Sequence, residues 1–295
     1  GYLVYTVVLS GAIYPVAGHW AWGGAAAGLN GDFGQGSGWL SQMGFRDFAG
    51  STVVHAVGGA SALAGILVIG PRKGRFAEDG SPRYLPGHNL PLATFGTLIL
   101  WVGWFGFNAG SLLSASDELG KICVNTVIAG SAGAVAAMAW FWVIRGVPNP
   151  LVAMNGILGG LVAITACCDL VSPVFAILIG AIAGIVSTAG ASILEKMRID
   201  DVVGAVPVHL FNGIWGTLCV GLFAEGALFD LEATWIQLIG SLSISVFAFL
   251  VALLGFRLVD VTLGLRANER EQEDGLDFSE HSANSYPDFV TTDRN

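Results

Sequence analysis

The sequence predicts an all-α membrane protein, a bundle of transmembrane helices that contains inverted repeats. Three observations lead to this prediction: an apolar composition, long stretches without charge, and a short motif that occurs twice. Of the 295 residues, 12% are charged and 54% are hydrophobic, and the mean hydropathy is +0.67. Such values are typical of membrane proteins. The 42 glycines suit helices that pack closely through small residues.

Eight stretches contain no Asp, Glu, Lys or Arg. Each holds the ~20 residues that cross ~30 Å of hydrocarbon at ~1.5 Å per residue. Backbone polar groups in lipid must be satisfied within a helix, so we expect each stretch to be a transmembrane helix. The eight stretches are 1–31, 48–71, 89–116, 122–144, 146–168, 170–194, 202–224 and 233–256.

Basic residues indicate how the chain is oriented. They occur in alternate connections, at 72–88, at Arg145, and at Lys196 and Arg198. An excess of Lys and Arg marks cytoplasmic loops, so we expect both chain ends on the cytoplasmic side of a plasma membrane. The Gly- and Ser-rich segment 25–46 is then an external loop.

The composition divides the chain into two parts. Residues 1–264 form the transmembrane domain, and residues 265–295, rich in charge, form a cytosolic tail. The net charge of -9 comes mainly from acidic residues in loops and in this tail, and no basic nucleic-acid footprint exists. The four cysteines lie in or beside apolar stretches without metal-ligand spacing, so neither a metal nor another cofactor is predicted.

The repeated motif joins an aspartate to a histidine eight residues later. Asp47-Phe-Ala-Gly-Ser-Thr-Val-Val-His55 aligns without gaps with Asp201-Val-Val-Gly-Ala-Val-Pro-Val-His209. The first helix runs outside to inside and the second runs back. Each histidine lies ~12 Å from its aspartate, so His55 and His209 are expected to meet near the midplane. Ionisable groups at that depth usually mark a pathway, although a structural, hydrogen-bonded histidine is the alternative. Both aspartates are expected to cap their helices, and Asp47 additionally lies near the outer mouth.

A polar and aromatic stripe follows helical spacing. Trp104, Phe107, Asn108 and Ser111 occupy positions i, i+3, i+4 and i+7 of one helix, and we expect this face to point away from lipid. The alternative is an ordinary buried aromatic face. Trp22, at the outer end of the first span, offers either a cation-π surface or an interfacial anchor.

Longer motifs resemble the ammonium transporter family (Amt/Mep/Rh), of the bacterial Amt type. The resemblance covers nearly the whole chain. It rests on His19-Trp-Ala-Trp-Gly-Gly24, Asp47 to His55, Gly70-Pro-Arg72, Gly103-Trp-Phe-Gly-Phe-Asn-Ala-Gly-Ser111, Gly264-Leu-Arg266, Gly275-Leu-Asp-Phe-Ser-Glu-His281 and Tyr286-Pro-Asp-Phe289. Family members have eleven helices, and the sequence begins at what resembles the fourth, so eight helices are expected.

The resemblance implies roles for individual residues. Trp22 and Ser111 form the outer ammonium site, Phe107 is one ring of the gate, and His55 and His209 are the twin histidines. Trp104 and Asn108 are expected to line the pore, and Asp47 to support the outer site.

The resemblance also implies partners. Family members are homotrimers, and in bacterial relatives the tail, here residues 265–295, docks regulatory proteins of the PII type. A sensor that uses the same pore to signal to a cytosolic partner is the alternative function. An intramembrane enzyme with the histidines as metal ligands is a third, for which no further ligands are placed.

Overall fold

The computed structural model describes residues 1–23 and 38–287, and regular structure in these ranges is helical apart from one isolated bridge between Phe76 and Pro82. The helices are α1 Tyr2–Trp22, α2 Trp39–Gln42, α3 Ser51–Ile69, α4 Leu90–Asn108, α5 Glu118–Arg145, α6 Pro150–Ile164, α7 Pro173–Lys196, α8 Val206–Phe223, α9 Leu231–Leu263, α10 Glu269–Asp274 and α11 Leu276–His281. Most of the segment 25–46 and the last eight residues of the tail lie outside the described residues.

The described helices confirm an all-α membrane protein, and seven of them are long and apolar enough to cross a membrane. The stretch 146–168 differs from the prediction. Its helix, α6, has 15 residues and continues as a run of turns over 165–170. In the opposite sense, α9 has 33 residues and extends past the predicted 233–256 to include Arg257 and Asp260. A charge-free stretch therefore gives the apolar part of a helix, not its ends.

Three transmembrane helices, α5, α6 and α7, pack with backbone in contact. A side chain on Gly133 of α5 would overlap the carbonyl of Gly156 of α6, and one on Gly184 of α7 would overlap the carbonyl of Gly133. Because lipid provides no hydrophobic drive between helices, such close approach stabilises them through van der Waals contact. The glycine content read from the sequence thus has a structural reason in this three-helix block.

The loops after α3 and α7 are joined by a buried carboxylate. Asp200, whose side chain is 2% exposed, accepts from Arg72 Nε at 2.8 Å and Nη2 at 2.9 Å, and from Arg75 Nε at 3.2 Å. Burial opposes ionisation of this carboxyl, but the hydrogen bonds from Arg72 outweigh it and hold the pKa of Asp200 below its ordinary value. The pair fixes the loop that leads into α8.

We expect Asp200→Asn to lower the stability of the folded protein by about 2 kcal/mol at neutral pH, because it removes the carboxylate that pairs with Arg72 and leaves Arg75 paired with Glu195 alone. A depressed pKa means that the folded state binds fewer protons, so this stabilisation is present above the ordinary aspartate pKa of ~3.9 and is lost as pH falls through the lower folded value. Thermal unfolding in detergent across this pH range measures the difference between the two proteins.

Asp274→Asn is the matched control, since it removes the exposed pair that Asp274 forms with Arg270. A surface pair of this kind is worth ~0.5 kcal/mol or less. Equal effects of the two substitutions would contradict the assigned role of Asp200.

Candidate functional site

The two copies of the repeated motif adopt the same unusual local structure. Residues Ser51–Ala56 begin α3 as a π-helix, and Val206–Phe211 begin α8 in the same way. The amide of His55 donates to the carbonyl of Gly50, five residues earlier, at 3.0 Å. A π turn is rare and is frequent at functional sites. The π-helical turn therefore sets the direction of each histidine side chain, and an α-helical turn of the same sequence would point it elsewhere.

Each π-helix is capped by the aspartate of its motif. Asp47 is 3% exposed, and its two carboxylate oxygens accept from the amides of residues 50, 51, 52 and 53 at 2.8 to 3.1 Å. Asp201 accepts from the amides of Ala205 and Val206 at 2.9 and 2.8 Å. Gly50 and Gly204, three residues after each aspartate, have φ of 119° and 76°, a region that glycine enters without strain. The predicted capping role of both aspartates is what the structure shows.

The helices α3 and α8 cross through a second pair of glycines. Gly59 lies four residues after His55 and faces the backbone of Leu210, and Gly213 lies four residues after His209 and faces the backbone at Ser51 and Ala56. A side chain at either glycine would overlap the partner helix. The two helices thus touch at their main chains directly beside the histidines.

This crossing brings the two imidazoles together. The Nδ1 atoms of His55 and His209 are 3.3 Å apart, and the ring centroids are 5.3 Å apart with an interplanar angle of 23°. His55 is buried, at 8% exposure, and its Nε2 atom has no hydrogen-bond partner within residues 1–23 and 38–287. His209 is half-buried. The sequence prediction that the motif pair converges is therefore matched by the geometry.

Two rings of α4 stack on His55. The Trp104 ring centroid lies 5.0 Å from that of His55 at 14°, and Phe107 lies 5.2 Å away at 27°. The indole nitrogen of Trp104 donates to the hydroxyl of Thr165 at 3.0 Å. Trp104 and Phe107 thus form an aromatic wall on one side of the histidine pair.

The other two members of the stripe lie elsewhere. Asn108 is fully buried, and its amide donates to Thr126 of α5 at 3.1 Å, so it joins α4 to α5. The α-helix ends at Asn108, and Ser111 follows in a 3₁₀ turn, where its hydroxyl donates to the carbonyl of Phe107 at 2.6 Å. The i+7 position therefore stands just beyond the helix on which it was predicted.

Trp22 lies at the end of α1 and is anchored next to the Asp47 cap. Its indole nitrogen donates to the carbonyl of Asp47 at 2.7 Å, and its ring lies near Gly50. The indole position is thus fixed by the same segment that begins α3. Trp22 therefore lies beside the N-terminal end of α3, where the motif that runs from Asp47 to His55 begins.

On the opposite side of the pair a cavity of about 610 Å³ reaches His209. Its lining is mostly apolar and includes Leu100, Val208 and Tyr84, with Arg72 and Asp201 at its polar end. His209 therefore connects the buried pair to a space that opens between the basic loops.

Sequence reasoning missed two groups that build this site. Gly59 and Gly213 extend the repeat to Asp-x2-Gly-x4-His-x3-Gly, a signal present in both copies. Thr165, the partner of Trp104, carried no signal of its own. Within the described residues, no group of three or more His, Cys, Asp or Glu side chains is placed to hold a metal ion.

Seven of the described helices are suited to span a membrane, and the site lies between two inverted segments. These features define the class as a multi-pass membrane transport protein. Comparison with known proteins identifies the family. The profile of the Ammonium Transporter Family matches residues 1–286. The chain belongs to this family, whose members are transporters rather than enzymes.

Individual relatives and structures agree with this assignment. Ammonium transporter Amt2 of Archaeoglobus fulgidus is 44% identical over 99% of this chain and 65% of its own length. A putative ammonium transporter of Synechocystis is 45% identical over 95% of this chain and 61% of its own length. The chain therefore spans less than two thirds of the length of these relatives.

Solved structures share the fold. One described as a sensor Amt protein superimposes with a TM-score of 0.87 at 39% identity, over 94% of this chain and 68% of its own. Candida albicans Mep2 gives 0.79 at 28% identity, over 91% of this chain and 60% of its own. Transporters and a sensor are thus both among the similar proteins.

Proposed function

We propose that this chain carries ammonium across the plasma membrane by taking it up as the cation, removing its proton and passing ammonia along the histidine pair. The observation that supports this most directly is the contact of His55 with His209 at 3.3 Å, next to the aromatic wall of Trp104 and Phe107. A path through apolar rings penalises a bare cation and admits a small neutral amine.

The outer side offers groups that suit a cation. Trp22 presents an indole, a ring that attracts cations by ~0.5 to 2 kcal/mol. The Ser111 hydroxyl donates its hydrogen bond to the Phe107 carbonyl, so its lone pairs remain to accept from ammonium. Both features favour recruitment of the cation outside Phe107, which acts as one ring of the gate. Asp47 supports the outer site through the indole that its carbonyl holds.

The histidine pair suits proton transfer. With the two Nδ1 atoms facing each other, one ring must donate and the other accept, so the two rings hold different tautomers. Reversing that bond reverses the tautomer of each ring. In this step Nε2 of His55 takes the proton that ammonium loses, the Nδ1 proton of His55 passes to Nδ1 of His209, and Nε2 of His209 releases its own proton toward the cavity.

Ammonium-dependent charge movement tests the proposal. The wild-type protein in proteoliposomes on a solid-supported membrane should give a sustained current on addition of ammonium and none on addition of potassium, a cation of similar size and charge. Absence of an ammonium current, or an equal potassium current, would exclude the mechanism.

Sensing is the second candidate, favoured by the likeness to a structure described as a sensor Amt protein. The tail also contacts the basic loop at 72–88, where Lys73 pairs with Glu273, and the end of α3, where Arg266 donates to the Ile69 carbonyl at 2.7 Å. A regulatory protein of the PII type is the proposed partner of residues 265–295. A pure receptor would bind ammonium and give only a transient charge signal, without sustained current.

The proposed assembly is a homotrimer with the tail and the basic loops in the cytoplasm. Alternate loops rich in Arg and Lys support this orientation. Native mass spectrometry of the detergent-solubilised protein tests the trimer, and protease access to the tail in right-side-out vesicles tests the orientation. A monomer, or cleavage from outside, would contradict the respective proposal.

A further inference from the structure

Thr165 lies where the end of α6 contacts Trp104 of α4, the ring that stacks on His55. It follows α6 directly and is fully buried. Its hydroxyl donates to the Leu161 carbonyl at 2.7 Å and accepts from Trp104 Nε1 at 3.0 Å. The hydroxyl has a single proton, and the Leu161 carbonyl takes it. Its role toward Trp104 is therefore fixed as acceptor.

The main chain of Thr165 also forms a hydrogen bond to the segment that precedes the π-helix of His55. The Thr165 carbonyl accepts from the amide of Ala49 at 3.1 Å, and the next carbonyl, of Ala166, accepts from Phe48 at 3.2 Å. These two amides lie between the Asp47 cap and the π-helix that carries His55. The end of α6 thus contacts both the ring stacked on His55 and the segment that leads to it.

We infer that Thr165 is a positioning residue for the transport site: its hydroxyl sets the plane of the Trp104 indole against His55. An indole that stacks by one face retains freedom to slide and rotate in that plane. The Thr165 bond fixes the nitrogen edge and leaves one orientation. This inference rests on the proposed function, which makes the aromatic wall part of the path.

Three variants separate this role from general packing. Thr165→Val keeps the shape and removes the acceptor, whereas Thr165→Ser keeps the acceptor. Thr126→Val is the matched control, because it removes the hydroxyl that accepts from Asn108, four residues after Trp104 on the same helix. All three are made in the full chain and compared in proteoliposomes.

Thr165→Val is expected to lower the maximal ammonium current roughly three- to tenfold, the factor that corresponds to loss of one buried hydrogen bond. The half-saturating ammonium concentration should change less than about twofold, since Trp22 and Ser111 are untouched and lost transition-state interactions reduce the maximal rate rather than binding. Thr165→Ser and Thr126→Val should remain close to wild type. An unchanged current in Thr165→Val, or equal losses in Thr165→Val and Thr126→Val, would overturn the inference.

Two further measurements cover a protein that folds poorly or does not transport. In a Trp104→Phe background, Thr165→Val should cause no additional loss, because the bond is already absent; additive losses would overturn the inference. The chain has nine tryptophans, so near-ultraviolet circular dichroism of wild type minus Trp104→Phe isolates the Trp104 signal. Thr165→Val should weaken this signal and Thr165→Ser should retain it.

The spectroscopic measurement does not need transport. A wild type without ammonium current would reject the proposed function, and the dichroism of Thr165→Val would then decide the inference alone, with an unchanged Trp104 signal overturning it.

Discussion

Replacing His55 by alanine is expected to lower the ammonium-dependent current at least about tenfold, because it removes one of two rings that hand a proton between facing Nδ1 atoms. His209→Ala should have an effect of similar size, since neither ring can complete the transfer alone. The combined variant should be no worse than either single one, as expected for groups that act as a unit.

The experiment uses solid-supported-membrane currents normalised to the amount of folded protein. His19→Ala is the control, because His19 is an exposed histidine on α1 at the outer end of the bundle. Full current in His55→Ala or His209→Ala would reject the proton relay, even if wild type transports ammonium.

Replacing Asp47 by alanine is expected to destabilise the protein by about 3 to 5 kcal/mol, because it leaves four buried amides without an acceptor. These amides begin the π-helix that places His55, so loss of current should accompany loss of stability. Thermal unfolding in detergent, followed by gel filtration to measure the folded fraction, provides the measurement.

Asp201→Ala is the internal comparison. Asp201 caps the equivalent segment but accepts from only two amides and is less buried, so a cost of about 1 to 2 kcal/mol is expected. A larger effect at Asp201 than at Asp47 would contradict the view that the number of buried amides sets the cost.

Much of the fold followed from charge. Seven of the eight charge-free stretches overlap a described helix that can span a membrane, and the Asp-to-His spacing brought the two histidines together. Both features depend only on composition and sequence distance. Helix ends did not follow, since Arg257 and Asp260 continue α9 beyond its apolar part.

The finer arrangement of the site depends on contacts between distant segments. The π-helical turn at His55 coincides with the Asp47 cap and with the crossing of α3 and α8. A prediction based on α-helical spacing does not include such a turn. For the same reason helical spacing did not predict the hydrogen bond between Asn108 and Thr126, which depends on how α4 packs against α5. Thr165 acquires its role only when α6 ends against α4.

The glycine crossing of α3 and α8 has a consequence for how such a protein can diverge. Main-chain atoms set the separation of the two imidazoles, so it is insensitive to the size of the surrounding side chains. Substitutions in the aromatic wall or in the cavity lining can therefore alter which solute enters, and how fast, without changing the distance between the two histidines. Gly59 and Gly213 are the positions at which that tolerance ends.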